Sequence, residues 1–394
     1  MEIDNFLDAT QNDSSLLVRL PEAIVARVFA YAGFAGLVEC ARSVCVAWRS
    51  ALYGNALLWT ALALPKYAVL LPYLPHNCVR HVVIAAPQPQ KRKDAADACR
   101  LLNNYGQHKI EQIVLDGHGI DTAIMEFLAR IITPNLVHIQ FHHVGLSFER
   151  KQFLAVLQRA QNVRSLRITR RPFKRATILS PLLSLFHHTL THLRLDNLAA
   201  EQIPNFGAIV PNLVSLELDG LIELAYWADT MANSTGGSDY AIDNALIDSN
   251  HNFDNIHDDM TIHPTSFQVL PHLRYLSCTN IDASDPEDVS KLMVLILSKC
   301  PSLTHLVFSC PNYMMDLWPC APFWLNVQQL QLDHCFLTSD FVRSLQAGIV
   351  QLREHYLASY GVYPPHVLQI RVGRGCQVED PDLVRYVFGN ECFI

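Results

Sequence analysis

Apolar residues recur along this chain in a fixed six-residue pattern, apolar-x-x-apolar-x-apolar. It occurs at Val79-x-x-Val82-x-Ile84, Ile110-x-x-Ile113-x-Leu115, Leu136-x-x-Ile139-x-Phe141, Val163-x-x-Leu166-x-Ile168, Leu190-x-x-Leu193-x-Leu195 and Leu213-x-x-Leu216-x-Leu218. After a gap it returns at Leu273-x-x-Leu276-x-Cys278, Leu303-x-x-Leu306-x-Phe308, Val327-x-x-Leu330-x-Leu332 and, more weakly, Val367-x-x-Ile370-x-Val372. The steps between first positions are 31, 26, 27, 27, 23, 60, 30, 24 and 40 residues. Alternation of the last two apolar positions predicts a short strand with one buried side. A period of this length marks an array of stacked supersecondary units. Helix-spaced apolar residues fill the intervals, as at 122–130, 152–157 and 289–297. Pro134, Pro211, Pro271 and Pro301 stand two residues before a repeat, where proline closes the helix and the next strand begins. Strand–helix–strand units of this kind predict an α/β fold with a parallel sheet.

The first sixty residues are patterned differently. Residues 1–15 are polar and acidic and are expected to form a flexible tail. Pro21 suits the first turn of a helix, with Glu22 at the positive end of its dipole. Ile24, Val28 and Tyr31 continue it as a stripe. Gly33 and Gly36 break the pattern, and two further short helices are expected at about 37–43 and 44–53. Three such helices carry more apolar surface than they can hide among themselves. Leu20, Pro21, Ile24, Val28, Leu37 and Val38 are therefore expected partly on the outside, as a partner surface.

Composition narrows the function. The chain has 394 residues, 30 Lys+Arg and 37 Asp+Glu, a formal net charge of −7. That balance argues against nucleic acid or an anionic membrane as the main partner. Residues 223–266, inside the step of 60, hold eight acidic residues and no Lys or Arg; without them 29 acidic and 30 basic residues remain, a net of +1. The segment reads as an acidic flexible insertion leaving the array and returning to it. The N-terminus shows no basic segment followed by an apolar run, so no secretory signal is expected, and no run is long enough for a membrane span. The eleven cysteines include no Cys-x-x-Cys, which points to reduced thiols in the cytoplasm and/or nucleus and not to a disulfide framework or zinc ribbon. No phosphate-binding glycine loop, Gly-x-Ser-x-Gly or His-Glu-x-x-His is present. The pairs His142-His143 and His187-His188 lack a third ligand at usable spacing. We therefore expect no catalytic residues, no metal and no cofactor.

In each strand the residues flanking the inner apolar positions point away from the core. They form rows that include His138, Gln140 and His142; Arg167; Arg194; Glu217 and Asp219; and Tyr275. These eight are the candidate substrate-binding residues. Arg167 and Arg194 fall at equivalent positions of neighbouring repeats, with Arg164, Arg170, Arg171, Lys174 and Arg175 close in sequence. Clustered guanidinium groups suit a phosphate or carboxylate, so this patch is expected to read an acidic or phosphorylated segment.

Leu20-Pro21, Ile24, Val28-Phe29, Leu37, Cys40, Val44-Cys45, Trp48-Arg49 and Leu58-Trp59 stand in the order and spacing of the F-box, which this segment (about 16–62) resembles. The array at about 79–373 resembles the leucine-rich repeats that commonly follow an F-box, most clearly at Cys300-Pro301-Ser302-Leu303-Thr304-His305-Leu306. The resemblance implies a three-helix F-box at 16–64 and, at 65–394, a solenoid with a parallel concave sheet and outer helices. It implies a non-catalytic substrate receptor of an SCF-type cullin–RING ubiquitin ligase. Leu20, Pro21, Ile24, Val28 and Leu37 would dock on a Skp-type adaptor and through it a cullin, while the repeats hold a protein substrate. Trp48 and Trp59 would be internal packing. The alternative is a leucine-rich-repeat scaffold with a degenerate F-box, outside any ligase.

Overall fold

The computed structural model of the chain describes residues 36–37, 53, 56–75, 77–86, 89–104, 109–117, 122–142, 150–169, 179–197, 204–220, 269–281, 299–309, 327–362, 368–373 and 375–389. The chain divides into two compact units, Met1–Val163 and Arg164–Ile394.

In the first unit, strands β1 (Ala61–Leu64), β2 (His81–Ala86), β3 (Gln112–Gly117) and β4 (His138–His142) pair in that order, all parallel. Helices α1 (Pro89–Asn104) and α2 (Thr122–Ile131) connect β2 to β3 and β3 to β4, and α3 (Arg150–Leu157) follows β4. Val82, Ile84, Ile113, Leu115, Ile139 and Phe141 are all buried. Phe141 meets Phe153 of α3 with ring centroids 5.6 Å apart. Small residues supply the inner stripe of α1. Ala95, Ala98, Cys99 and Leu102 recur at helical spacing and are buried. Trp59 is fully buried and stacks on Tyr53 at 5.4 Å.

In the second unit the strand order is β5 (Ser165–Thr169), β6 (His192–Asp196), β7 (Ser215–Asp219), β8 (Tyr275–Thr279), β9 (His305–Ser309), β10 (Gln329–Asp333) and β12 (Gln369–Val372). Each pair is parallel. A separate parallel pair joins β11 (Phe336–Leu337) to β13 (Gln377–Val378). The helices are α4 (Leu179–Ser184), α5 (Phe206–Ile209), α6 (Ser339–Tyr360) and α7 (Pro381–Phe388).

Three local devices repeat and explain why the pattern folds this way. First, the leading leucine of a repeat closes a turn onto the residue three before it. Leu136 donates to Thr133 at 3.1 Å, Leu213 to Val210 at 3.3 Å, Leu273 to Leu270 at 3.3 Å and Leu303 to Cys300 at 3.1 Å. In each, proline holds the second turn position, where its fixed φ is already correct. Second, one carbonyl ahead of each strand accepts two N–H groups from the next repeat. The Thr191 carbonyl takes Val214 and Ser215, that of Val214 takes Arg274 and Tyr275, that of Arg274 takes Thr304 and His305, and that of Thr304 takes Gln328 and Gln329, all at 2.8–3.1 Å. Third, the residue leaving the strand is left-handed: Asn197 has φ 55°, Gly220 φ 71°, Asn280 φ 51° and His334 φ 52°. Glycine takes that conformation freely, and Asn and His are the side chains enriched there.

Each apolar repeat of the sequence thus has its strand, and the α/β reading with a parallel sheet holds, in an arrangement compatible with a solenoid-like repeat. The step of 60 does not interrupt the register, because β7 pairs directly with β8 from Ser215↔Tyr275 to Asp219↔Thr279. The insertion at 223–266, the helix expected at 289–297 and the tail at 1–15 lie outside the described residues. The step of 40 is filled by α6, whose 22 residues begin at a Thr338 cap accepting the Phe341 N–H at 3.1 Å and end at left-handed Gly361. Strand β1 falls inside 16–64, the span given by sequence to the N-terminal module. Its Ala-Leu-Ala-Leu alternation was hidden in an apolar stretch, and pairing with β2 makes it a strand.

Two expectations follow. A Cβ at residue 220 would sit 2.7 Å from Asn197 Oδ1 in a left-handed conformation. Gly220→Ala should therefore lower unfolding free energy by about 2 kcal/mol, read as a shift of the urea midpoint. Burial pushes the Cys278 and Cys300 thiols up to about 12. Both should resist iodoacetamide at pH 8 in the native chain and react in denaturant, as peptide mass spectrometry would show.

Candidate recognition surface

Along most strands many of the residues between the apolar core positions are polar, and parallel register lines them up from repeat to repeat. In the second unit one row runs His192, Ser215, Tyr275, His305 and Gln329. The next runs Arg167, Arg194, Glu217, Ser277, Val307 and Gln331. A third holds Asp196, Asp219 and Thr279.

Arg194 is the hub of this face. Its Nε donates to Asp196 Oδ1 at 3.1 Å, its Nη1 donates to Glu217 Oε2 at 3.0 Å, and Nη2 lies 3.6 Å from Asp219 Oδ2. Burial works against its charge, but the Asp196 hydrogen bond and the carboxylates of Asp196, Glu217 and Asp219 outweigh it and hold the guanidinium pKa above its ordinary value. Asp219 is itself anchored, accepting from Thr279 Oγ1 at 3.0 Å and from Asn280 Nδ2 at 2.7 Å. Tyr275 stands beside Glu217; burial first and then that carboxylate raise its phenol pKa. Farther along, Gln331 Nε2 donates to Asp333 Oδ2 at 2.9 Å. His192 and His305 each share a hydrogen bond with the preceding threonine hydroxyl, at 2.8 and 2.9 Å.

The register Arg167↔Arg194 puts the two guanidinium-bearing residues on adjacent strands, as the repeat spacing predicts. Their surroundings were not legible. Arg194 is engaged by three carboxylates, those of Asp196, Glu217 and Asp219, in a mixed-charge network within its own strands. Arg167 differs: its Nε is buried and has no hydrogen-bond partner among the described residues. Arg164 lies just ahead of β5, where its carbonyl accepts from Thr191 and His192; 170–175 are outside the described residues.

In the first unit, His138, Gln140 and His142 occupy the outward positions of β4, His138 exposed and the other two half-exposed. Gln140 Oε1 and His142 Nε2 are 3.2 Å apart. The strands of each unit therefore present their own candidates outward, three in the first unit and five in the second, and Arg194, Glu217, Asp219 and Tyr275 are one electrostatic group. Asp196 and Asn280 complete the network. The signal for both was the polar pair closing each strand, Asp196-Asn197 and Thr279-Asn280. Of the adaptor candidates, Leu20, Pro21, Ile24 and Val28 lie outside the described residues. Leu37 is described and is buried, 4 % exposed, so it is not on the outside as the pattern had suggested. No group of three or more His, Cys, Asp or Glu among the described residues is placed to hold a metal, and no described helix is long and apolar enough to cross a membrane.

No protein-family model and no curated protein matches the chain. Among solved structures, a Bacteroides fragilis protein from a structural genomics consortium is 12 % identical, with 68 % of this chain and 67 % of that one covered, at a TM-score of 0.29. At that score the likeness adds nothing to what the strands themselves show.

Replacing the hub tests the network. Arg194→Met leaves Asp196, Glu217 and Asp219 as neighbouring like charges. It should cost about 1 kcal/mol at pH 7. Urea titrations of both proteins at pH 7 check this.

Proposed function

We propose that the chain is the substrate-recognition subunit of an SCF-type cullin–RING ubiquitin ligase. On this reading the segment at 16–62 is an F-box that docks on a Skp-type adaptor, and the strand–helix array is a leucine-rich-repeat solenoid that holds a protein substrate. The observation that carries it is the joining, in one chain, of the Leu20-Pro21 to Leu58-Trp59 motif series to an array of parallel strands that carry polar residues outward. The burial of Trp59 fits the packing role the motif gives it. Ubiquitin transfer belongs to other subunits, and this chain contributes proximity between substrate and the loaded conjugating enzyme.

The closed charge network shapes the substrate class. Arg194 is already matched by three carboxylates, so a phosphate would displace an existing ion pair instead of filling a vacancy. The face suits a folded or extended protein segment of mixed polarity that reads His, Gln, Tyr and Glu together.

The scaffold reading keeps one specific support, the burial of Leu37, which an adaptor-docking surface would leave accessible. Pull-down of recombinant Skp-type adaptor separates the two. The ligase reading expects binding by the full chain and at least a tenfold loss in Leu20→Asp and Ile24→Asp. No binding by the wild-type chain supports the scaffold. A Glu217→Lys variant should keep adaptor binding and lose substrate captured under proteasome inhibition.

A further inference from the structure

We propose that Cys335 and Cys376 are a peroxide-responsive thiol pair whose reversible disulfide staples the end of the repeat array. The proposal does not depend on the ligase reading.

The backbone sets the two cysteines side by side. β11 and β13 pair in parallel with Phe336↔Gln377 and Leu337↔Val378, so the residues immediately before them, Cys335 and Cys376, are the next opposed pair. The Gln377 N–H donates to the Cys335 carbonyl at 2.9 Å, and the Cys335 N–H points at Cys376 Sγ at 3.4 Å. The Cys376 thiol donates to the Leu332 carbonyl at 3.1 Å and the Cys335 thiol to that of Asp333 at 3.2 Å. Adjacent strands run roughly 4.8 Å apart, within the roughly 4.4–6.8 Å Cα separation that a disulfide spans. Neither cysteine is in a disulfide in this structure.

The two thiols have different environments, and that difference assigns their roles. Cys376 is half-exposed, and its pKa is lowered to about 7. The Cys335 thiol hydrogen bond is the main cause; the Cys335 and His334 backbone contacts assist it, against burial and the Asp333 charge. A thiolate fraction is therefore present at neutral pH, and thiolate is the nucleophile toward peroxides. Cys335 is 1 % exposed, shielded from bulk oxidant but in reach of its neighbour. Cys278 and Cys300, by contrast, are deeply buried with pKa values pushed up to about 12.

The chemistry closes without a cofactor. Cys376 thiolate attacks one oxygen of a hydroperoxide and the O–O bond breaks. The sulfur becomes a sulfenic acid, and the departing alkoxide or hydroxide takes a proton from solvent. Cys335 sulfur then attacks Cys376 sulfur, the S–O bond breaks and water leaves with the Cys335 proton. The two thiols have lost two electrons to the peroxide, and a dithiol reductant restores them.

The location gives the bond a consequence. The residues between 335 and 376 contain α6 and β12, and β12 is the last strand in the sheet order. A crosslink between these two positions, 41 residues apart, closes the segment into a loop and should hold the last strand against unravelling.

The test uses the full-length chain. Stoichiometric hydrogen peroxide at pH 7, quenching with iodoacetamide and peptide mass spectrometry should yield a Cys335–Cys376 linked peptide that dithiothreitol removes. The oxidised chain should melt at a higher temperature than the reduced one. In Cys335→Ser, Cys376 should be trapped as a sulfenic acid by a dimedone probe; in Cys376→Ser, Cys335 should remain reduced. Before oxidation, Cys376 should be alkylated at least tenfold faster than Cys278. Equal alkylation rates would overturn the proposal, as would a folded wild-type chain in which Cys376 oxidises without linking to Cys335 or links to a different cysteine.

Discussion

The structure depends on one backbone arrangement: a carbonyl just ahead of each strand that accepts two N–H groups from the following repeat. Thr191, Val214, Arg274 and Thr304 carry it through the second unit, and Thr60, Arg80 and Glu111 through the first. It fixes where each strand begins relative to its neighbour. Every apolar side chain then meets the next at the same depth, as with Leu193, Leu216, Leu276, Leu306 and Leu330, all nearly fully buried. A slip of one residue would turn that line of leucines toward water and bury the polar rows. Register and core are thus the same constraint. No strand–helix unit can satisfy it alone, because both the hydrogen bonds and the apolar contacts lie between repeats.

The same register builds the open face. Side chains two residues apart on one strand and level on the next are brought within ion-pair reach, so Arg194 meets Asp196, Glu217 and Asp219 together. A guanidinium with five donors in a planar fork is suited to such a hub. The result is a preorganised surface on which Arg194 is already held by its own neighbours.

Different parts of the molecule were legible to different degrees. The strands were read from leucine spacing alone because period-two burial leaves a direct trace in sequence. Helix α1 left almost none: its buried stripe is alanine and cysteine beneath charged residues, and packing against α2 and β2 decides the matter. Asp196 was visible as a polar residue on the face, but its bond to Arg194 requires the side-chain geometry. The cysteines gave no motif at all, since Cys335 and Cys376 are 41 residues apart and meet only because a short parallel pair forms beyond the main strand order. The large insertion was visible by composition, while the direct pairing of β7 with β8 across it belongs to the fold.

By itself the sequence determined the parallel α/β architecture, the positions of its repeats and which residues line the polar face. These follow from periodicity, and periodicity is a local property that each repeat carries whole. Tertiary structure decided which of those residues are engaged with one another: that Arg194 meets three carboxylates while the Arg167 Nε has no partner among the described residues, that Leu37 is covered, and that two distant thiols are neighbours. Those outcomes depend on distances between separate repeats. A linear pattern places side chains on a face but does not say how far each must reach to meet its counter-charge.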